Sequence, residues 1–296
     1  MPASAEIRGA RFPPEPLLQA ALAFAAPDQA RNTLLVSMLD RGLREPDFRR
    51  TLYVASASRG GEITALAVRS EFPKLALSAD APPGAVEGIA ARVRKDMPDL
   101  PCVLGPKAEA RRFLDGWRRS GDAAPVTGMR ERIYQLDHVI PHAPVSGELQ
   151  PATAAELPLL LDWIRRFDEE LGQTGLRSTE QREAAARRYV ELGSAFIWHA
   201  GPPVCMVGAG GPAGLAARIG PVYTPPEHRR RGYAGAAVAA ASSLMLERGH
   251  PLCCLFTDLA NPTSNHVYQE VGYLPVCDVE EYWLGTTPEK VAGAGR

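Results

Sequence analysis

Hydrophobic and polar positions follow two different periods along the first half of the chain, and each period predicts one kind of element. Apolar spacing of about three to four residues predicts a helix, and alternation of about two predicts a strand. Between the first two strands, Arg59-Gly60-Gly61 predicts a hairpin turn. The predicted elements are a helix over 16–43, strands over 52–56, 63–68 and 74–77, a helix over 85–95, a strand over 102–104, a helix over 108–117 and a strand over 131–136.

The second half of the chain repeats this order of elements. Thr153 and Glu156 form a capping-box pattern, which predicts the start of a helix. Gly201-Pro202-Pro203 predicts a second hairpin turn. The predicted elements are strands over 148–152, 195–199, 204–209, 217–223, 252–257 and 274–283, and helices over 153–171, 179–192, 232–248 and 262–271. Because both halves share one order of helices and strands, we predict an α/β fold that occurs twice.

A stretch rich in Pro, Gly and Ser separates the two halves. It reads His-Ala-Pro-Val-Ser-Gly-Glu over 142–148, a composition typical of a linker. We therefore place a boundary near Val145, which predicts an N-terminal domain over 1–145 and a C-terminal domain over 146–296. A chain of 296 residues fits two domains of ordinary size.

Composition and charge exclude several classes of protein. Hydrophobic residues make up 45% and charged residues 23% of the chain, which is the balance of a folded protein rather than a disordered one. The formal net charge of −1 argues against a nucleic-acid partner. No run of about 18 apolar residues is present, so we expect no membrane partner and a cytoplasmic location. The oligomeric state stays open, with a homodimer as one candidate.

The cysteines are odd in number, and their spacings match no zinc or disulfide framework. We therefore expect buried, small apolar side chains in strands and no metal site. They are Cys102, Cys205, Cys253, Cys254 and Cys277.

The segment after the strand over 217–223 has the features of an anion-binding loop. A short loop follows the strand and leads into a helix of mostly small, apolar residues. Because a helix start has unpaired N–H groups and partial positive charge, an anion is stabilised there. Gly232 and Ala234 allow close approach to a diphosphate, and Arg229, Arg230 and Arg231 add positive charge. The pattern is neither a P-loop nor a dinucleotide fingerprint.

Arg229-x-x-Gly232-x-Ala234 resembles the acetyl-CoA motif of the GNAT superfamily, the Gcn5-related N-acetyltransferases. A second segment, Asn261-x6-Tyr268-x3-Gly272-Tyr273, resembles the run that ends the core of that family. The wider resemblance is to a bacterial two-domain class with a degenerate N-terminal half. It implies two GNAT-like domains, each with a mixed, mostly antiparallel sheet flanked by helices.

The resemblance also implies roles for individual residues. Tyr268 would be the general acid, because a phenol near the thioester can donate a proton to the departing thiolate. The strand end would hold the pantetheine arm through backbone groups, the loop would hold the diphosphate, and the last helix would contribute asparagines. The implied acetyl-CoA site comprises Val222, Tyr223, Thr224, Arg229, Arg230, Arg231, Gly232, Tyr233, Ala234, Gly235, Asn261 and Asn265.

The sequence does not identify the general base. Some relatives have a Glu five residues before the motif Asn, where this chain has Phe256. An ammonium must lose a proton before it attacks, so a carboxylate, a His or a water relay is needed. The candidates are Asp258, Glu169, Glu170 and His199.

We therefore expect an acyltransferase that moves acetyl from acetyl-CoA to a primary amine of a small molecule or peptide. A coenzyme A-binding regulatory module without turnover is the alternative, and a longer acyl donor is a third reading. In the N-terminal half the corresponding loop contains Asp80 and no arginine, so we expect no coenzyme A site there.

Overall fold

The computed structural model of the protein describes residues 5–141, 144–173 and 175–286. Its internal contacts divide the chain into two units. The first unit ends at Arg132 and resumes at Cys277, and the second runs from Ile133 to Val276. His142 and Ala143, in the predicted linker, lie outside the described residues. The boundary near Val145 stays a prediction.

The elements of the first part of the chain run from the edge strand β1 to the longer strand β6. They are β1 (Glu6–Arg11), α1 (Glu15–Ala25), α2 (Thr33–Arg44), α3 (Pro46–Arg49), β2 (Tyr53–Arg59), β3 (Glu62–Arg69), β4 (Lys74–Leu77), α4 (Ala85–Asp96), β5 (Cys102–Pro106), α5 (Lys107–Trp117) and β6 (Val126–Leu136). Most of these match the predicted order. The helix predicted over 16–43 is instead two helices, because a 3₁₀ turn containing Pro27 ends α1. β1 was not predicted, since its alternation is weak.

The elements of the second part repeat that order. They are β7 (Glu148–Pro151), α6 (Leu157–Glu170), α7 (Thr179–Glu191), β8 (Ala195–His199), β9 (Pro203–Gly210), β10 (Ala217–Tyr223), α8 (Tyr233–Glu247), β11 (Cys253–Asp258), α9 (Pro262–Val271) and β12 (Leu274–Trp283). The predicted capping box forms, because the Thr153 N–H donates to the Glu156 carboxylate at 2.8 Å. The sequence pattern thus predicts most element boundaries in this half to within about one residue.

In the first unit, the strand order is β1-β2-β3-β4-β5-β12. All neighbours are antiparallel except β4 and β5. Val279–Trp283 of β12 pair with β5, so the last strand of the chain completes the sheet of the N-terminal unit. Two buried carboxylates anchor it there: Glu280 accepts two hydrogen bonds from Arg111, and Glu281 pairs with Lys74. The order of elements along the sequence does not indicate that β12 pairs with β5.

In the second unit, the strand order is β11-β10-β9-β8-β7, again with one parallel pair, β10 with β11. Side chains on one face of this sheet pack against α8 and α9, and those on the other face pack against α6 and α7. Mixed, mostly antiparallel sheets flanked by helices in both units confirm the predicted fold class.

The cysteines lie in strands as predicted. Four are buried, Cys277 is half-buried, and all five are free thiols. Among residues 5–141, 144–173 and 175–286, no group of three His, Cys, Asp or Glu side chains is arranged to hold a metal ion. Within the same ranges, no helix has the length and apolar character needed to span a bilayer.

Candidate active site

The parallel strands β10 and β11 separate soon after they begin. Their register pairs only Ala217 with Cys253 and Arg218 with Cys254, although β10 continues to Tyr223. Among the described residues, the backbone of β10 beyond Arg218 is therefore not paired with β11. An open strand edge of this kind can accept an extended ligand through main-chain hydrogen bonds.

A bulge bends the open strand at its middle. The register of β10 against β9 shifts between Ile219 and Val222. Gly208 of β9 makes room for the bulge, because a Cβ at that position would lie 2.5 Å from the carbonyl oxygen of Gly220. Bulges of this kind change the direction of the strand that follows. The free edge of β10 is thus shaped by a neighbouring glycine that the motif does not include.

The loop after β10 presents the start of α8 without a side-chain cap. Gly232 is the N-cap residue, with a left-handed φ of 79°, and as a glycine it has no side chain to cap the helix start. Arg230 is also left-handed, with φ 59°. Left-handed residues in a turn are typical of concavities of backbone N–H groups that bind anions. The first N–H groups of α8 add the partial positive charge of the helix end.

The three arginines of the loop have different surroundings. Nε of Arg229 donates to the carbonyl oxygen of Thr224 at 2.8 Å, and its Nη2 donates to the Glu170 carboxylate at 2.6 Å. Its guanidinium also lies 5.8 Å from the centre of the Tyr223 ring. Arg230 and Arg231 are exposed and form no ion pair with the described residues. Their charges are therefore available to an anion, whereas that of Arg229 is already shared.

Tyr268, the predicted general acid, lies on α9 and is half-buried. Its ring meets the edge of Tyr273 at a centroid distance of 6.2 Å. Its hydroxyl forms no hydrogen bond with the described part of the chain. Burial, with a smaller contribution from the nearby Cys205 thiol, raises the pKa of Tyr268 above its ordinary value. The phenol is therefore protonated at neutral pH and able to donate.

A second hydroxyl on the same side of the sheet lies beside a thiol. Oγ1 of Thr224 is buried and lies close to Cys205. Burial raises the pKa of Cys205 to about 12, while a hydrogen bond with the Thr224 hydroxyl acts in the opposite direction. Because a thiol is a weak hydrogen-bonding group, a stronger polar group of a ligand would be stabilised here.

The two predicted asparagines are placed differently. Asn261 is the N-cap residue of α9, and its Oδ1 accepts the Ser264 N–H at 3.0 Å. Nδ2 of Asn265 donates to the carbonyls of Asp258 and Asn261, and its Oδ1 accepts the Tyr134 hydroxyl at 3.1 Å. The polar atoms of Asn265 are thus used inside the protein, where they fix the start of α9 beside β6.

Three of the four candidate bases already have a partner. Asp258 accepts the Ala260 N–H at 2.8 Å, Glu169 pairs with Arg165, and Glu170 pairs with Arg229. Nε2 of His199 is buried and lies 3.3 Å from the Glu156 carboxylate, but it forms no hydrogen bond with the described residues. Among the four candidates, the structure therefore leaves the His199 imidazole without a hydrogen bond at Nε2.

Several contacts at the site have no counterpart in the motifs. Val145 of the predicted linker lies beside Gly232, where a Cβ would come within 3.0 Å of its Cγ2. Cys205 of β9 lies near Tyr268. Both residues are distant in sequence from the loop, so no local pattern indicates them.

Comparison with known proteins places this geometry in context. Residues 214–284 match the family model described as FR47-like protein. No curated protein sequence matches the chain. A protein from Drosophila superposes with a TM-score of 0.65 at 14% identity, covering 95% of this chain and 98% of that one.

Two further solved structures have informative names. A GNAT-family acetyltransferase from Colwellia psychrerythraea has a TM-score of 0.59 at 11% identity and covers 94% of this chain and 99% of its own. A tandem GNAT protein from the clavulanic acid biosynthesis pathway has a TM-score of 0.55 at 16% identity, with coverages of 94% and 97%. At such identities the likeness establishes the fold, and it confirms the predicted family resemblance at that level.

Proposed function

We propose that this chain, which has the fold of the GNAT acetyltransferases, transfers the acetyl group of acetyl-CoA to a primary amine of a small molecule or peptide. The prediction of an acyltransferase agrees with the names of its structural neighbours. One observation carries the proposal: the free edge of β10 is followed, after the loop over 224–232, by the start of α8, whose N-cap residue has no side chain. An extended arm that ends in a diphosphate matches both parts at once.

The fit to coenzyme A extends to side chains. The exposed Arg230 and Arg231 supply positive charge beside the helix start, and Gly232 keeps the backbone accessible. The hydroxyl of Tyr268 has no hydrogen bond with the described residues, and Tyr268 packs in the same core cluster as α8. Backbone groups of Val222, Tyr223 and Thr224 would hold the pantetheine arm. No metal is needed for this chemistry.

Acetyl-CoA supplies an activated thioester. The amine nitrogen forms a bond to the acyl carbon as the carbon–sulfur bond breaks. Tyr268 donates its phenolic proton to the sulfur that leaves, and the proton lost by the amine restores the phenol through solvent. A phenol is protonated at neutral pH, and burial raises the pKa of Tyr268 further, so Tyr268 holds the proton that this step requires.

The proposal is tested first by calorimetry of the purified chain with coenzyme A, for which we expect one site per chain. Thiol release from acetyl-CoA in pools of primary amines then tests transfer. A comparison of acyl chain lengths tests the preference for acetyl. Absence of coenzyme A binding would overturn the proposal.

A coenzyme A-binding module without turnover is a second candidate, because three of the four candidate bases, Asp258, Glu169 and Glu170, already have partners in the structure. It predicts tight cofactor binding with no thiol release from any amine pool. Transfer to any amine excludes it.

A further inference from the structure

Arg229 connects the predicted anion-binding loop to α6 through a half-exposed ion pair with Glu170. Its guanidinium uses Nε for the Thr224 carbonyl and Nη2 for Glu170, at 2.8 Å and 2.6 Å. The side chains of Arg229 and Glu170 are 42% and 47% exposed, so solvent screens their attraction. The bond to Thr224 fixes the end of the open strand, whereas the bond to Glu170 fixes only the guanidinium.

We propose that Glu170 competes with the donor's diphosphate for Arg229, so that donor binding exchanges one ion pair for another. This inference rests on the proposed function. In the protein without acetyl-CoA, Nη2 of Arg229 donates to the Glu170 carboxylate. When a diphosphate lies at the start of α8, Nη2 donates to a phosphate oxygen instead, while Nε keeps its hydrogen bond to the Thr224 carbonyl.

The charges favour this exchange. A diphosphate brings more negative charge than one carboxylate, and it is also held by Arg230, Arg231 and the start of α8. The Glu170 carboxylate has no other cation within ion-pair distance among the described residues. If Glu170 loses its charge, Nη2 of Arg229 should be free of this ion pair before the acyl donor binds. The affinity for coenzyme A should therefore rise rather than fall.

The expected size of the effect is small because the pair is exposed. A surface ion pair of this kind corresponds to a gain of about two- to fivefold in affinity. A residue with only a structural role would give the opposite sign, since loosening Arg229 would disturb the strand end at Thr224. The direction of the change therefore distinguishes the two roles.

The experiment is calorimetry of the full chain with coenzyme A as the probe. Glu170→Gln should bind about two- to fivefold more tightly than wild type. Glu169→Gln is the matched control, because this neighbour on α6 is 44% exposed and pairs with Arg165 instead. It removes the same charge and should leave affinity unchanged.

A double-mutant cycle assigns the effect to Arg229. Arg229→Gln should weaken binding, and adding Glu170→Gln to that variant should give no further gain. Equal or weaker binding by Glu170→Gln, while wild type binds, would overturn the inference and leave the proposed function standing. An equal gain in Glu169→Gln would also overturn it. Binding by none of these proteins would overturn the donor assignment itself, and the inference with it.

Discussion

Each unit has a helix that follows a strand and begins at a left-handed glycine, but the charges near the two helix starts differ. Gly84 begins α4 with φ 80°, and Gly232 begins α8 with φ 79°; neither helix has a side-chain cap. A second left-handed residue lies in each loop, Asp80 with φ 52° and Arg230 with φ 59°. The conformation of the N-cap glycine is therefore shared, while these two loop residues have opposite charges.

Polar groups of the loop before α4 already have partners inside the protein. Nη1 of Arg31 donates to the Asp80 carboxylate at 2.8 Å, and Oδ1 of Asn32 accepts the Ala79 N–H at 3.0 Å. One amide of this turn thus has an acceptor inside the protein. The first turn of α4 also contains Glu87, whereas that of α8 has no acidic residue.

The strands before the two loops differ as well. β4 is paired with β5 from Lys74 to Ala76, whereas β10 is paired with β11 only at Ala217 and Arg218. Gly105 of β5 fits closely against β4, because a Cβ there would lie 2.7 Å from that of Leu77. On the proposed function, a left-handed glycine at a helix start is thus not enough to form a site for the acyl donor. We infer that positive charge, free amides and an open strand edge are needed together.

The largest expected effect comes from Gly232→Glu. The new side chain would lie in a left-handed backbone, 3.0 Å from Val145 at its Cβ, and would place a negative charge at the helix start. Coenzyme A affinity should fall by roughly a hundredfold or more in calorimetry. Gly84→Glu meets the same backbone cost in the other unit and should leave affinity unchanged. Equal losses in both variants would point to instability, which thermal unfolding would detect.

Tyr268→Phe should lower kcat by about a hundredfold while coenzyme A affinity stays near wild type. The folded-state pKa of Tyr268 is raised, so the phenol keeps its proton above the ordinary tyrosine value of about 10. Wild-type kcat should therefore show no loss from this group between about pH 7 and 9. Thiol release from acetyl-CoA in an amine pool measures the kcat of the variant and the pH dependence of the wild-type kcat. Full activity of the variant would remove the acid assignment.

Replacing Arg230 and Arg231 together by Gln tests the charge difference between the turns. Affinity for coenzyme A should fall by about five- to tenfold, and its dependence on salt should weaken. The same double change at Arg118 and Arg119 of the first unit serves as the control and should have no effect. If salt dependence persists unchanged, the loop arginines do not contact the diphosphate.

The smallest expected effect is that of Asp80→Arg. It gives the N-terminal turn a positive charge, but the paired strands and the bond from Ala79 to Asn32 remain. The stoichiometry of coenzyme A should therefore stay at one per chain in calorimetry. A second site would show that charge alone separates the two turns.

Much of this molecule follows from local patterns. β4, β8, β10, α9 and β12 begin and end where periodicity predicts them. The glycine at the start of α8 and the neighbouring arginines are adjacent in sequence and could be recognised there, while phosphate binding by this loop stays a prediction. The break between α1 and α2 was missed, because apolar spacing continues through Pro27.

The sequence by itself determined the order of elements, the duplicated pattern and the residue types at the helix start, because each depends on neighbours a few positions apart. Only the tertiary structure decided that β12 completes the first unit, that β10 separates from β11, and that Glu170 holds Arg229. Strand partners and ion pairs join residues far apart along the chain, and their pairing depends on which faces and edges come together in space.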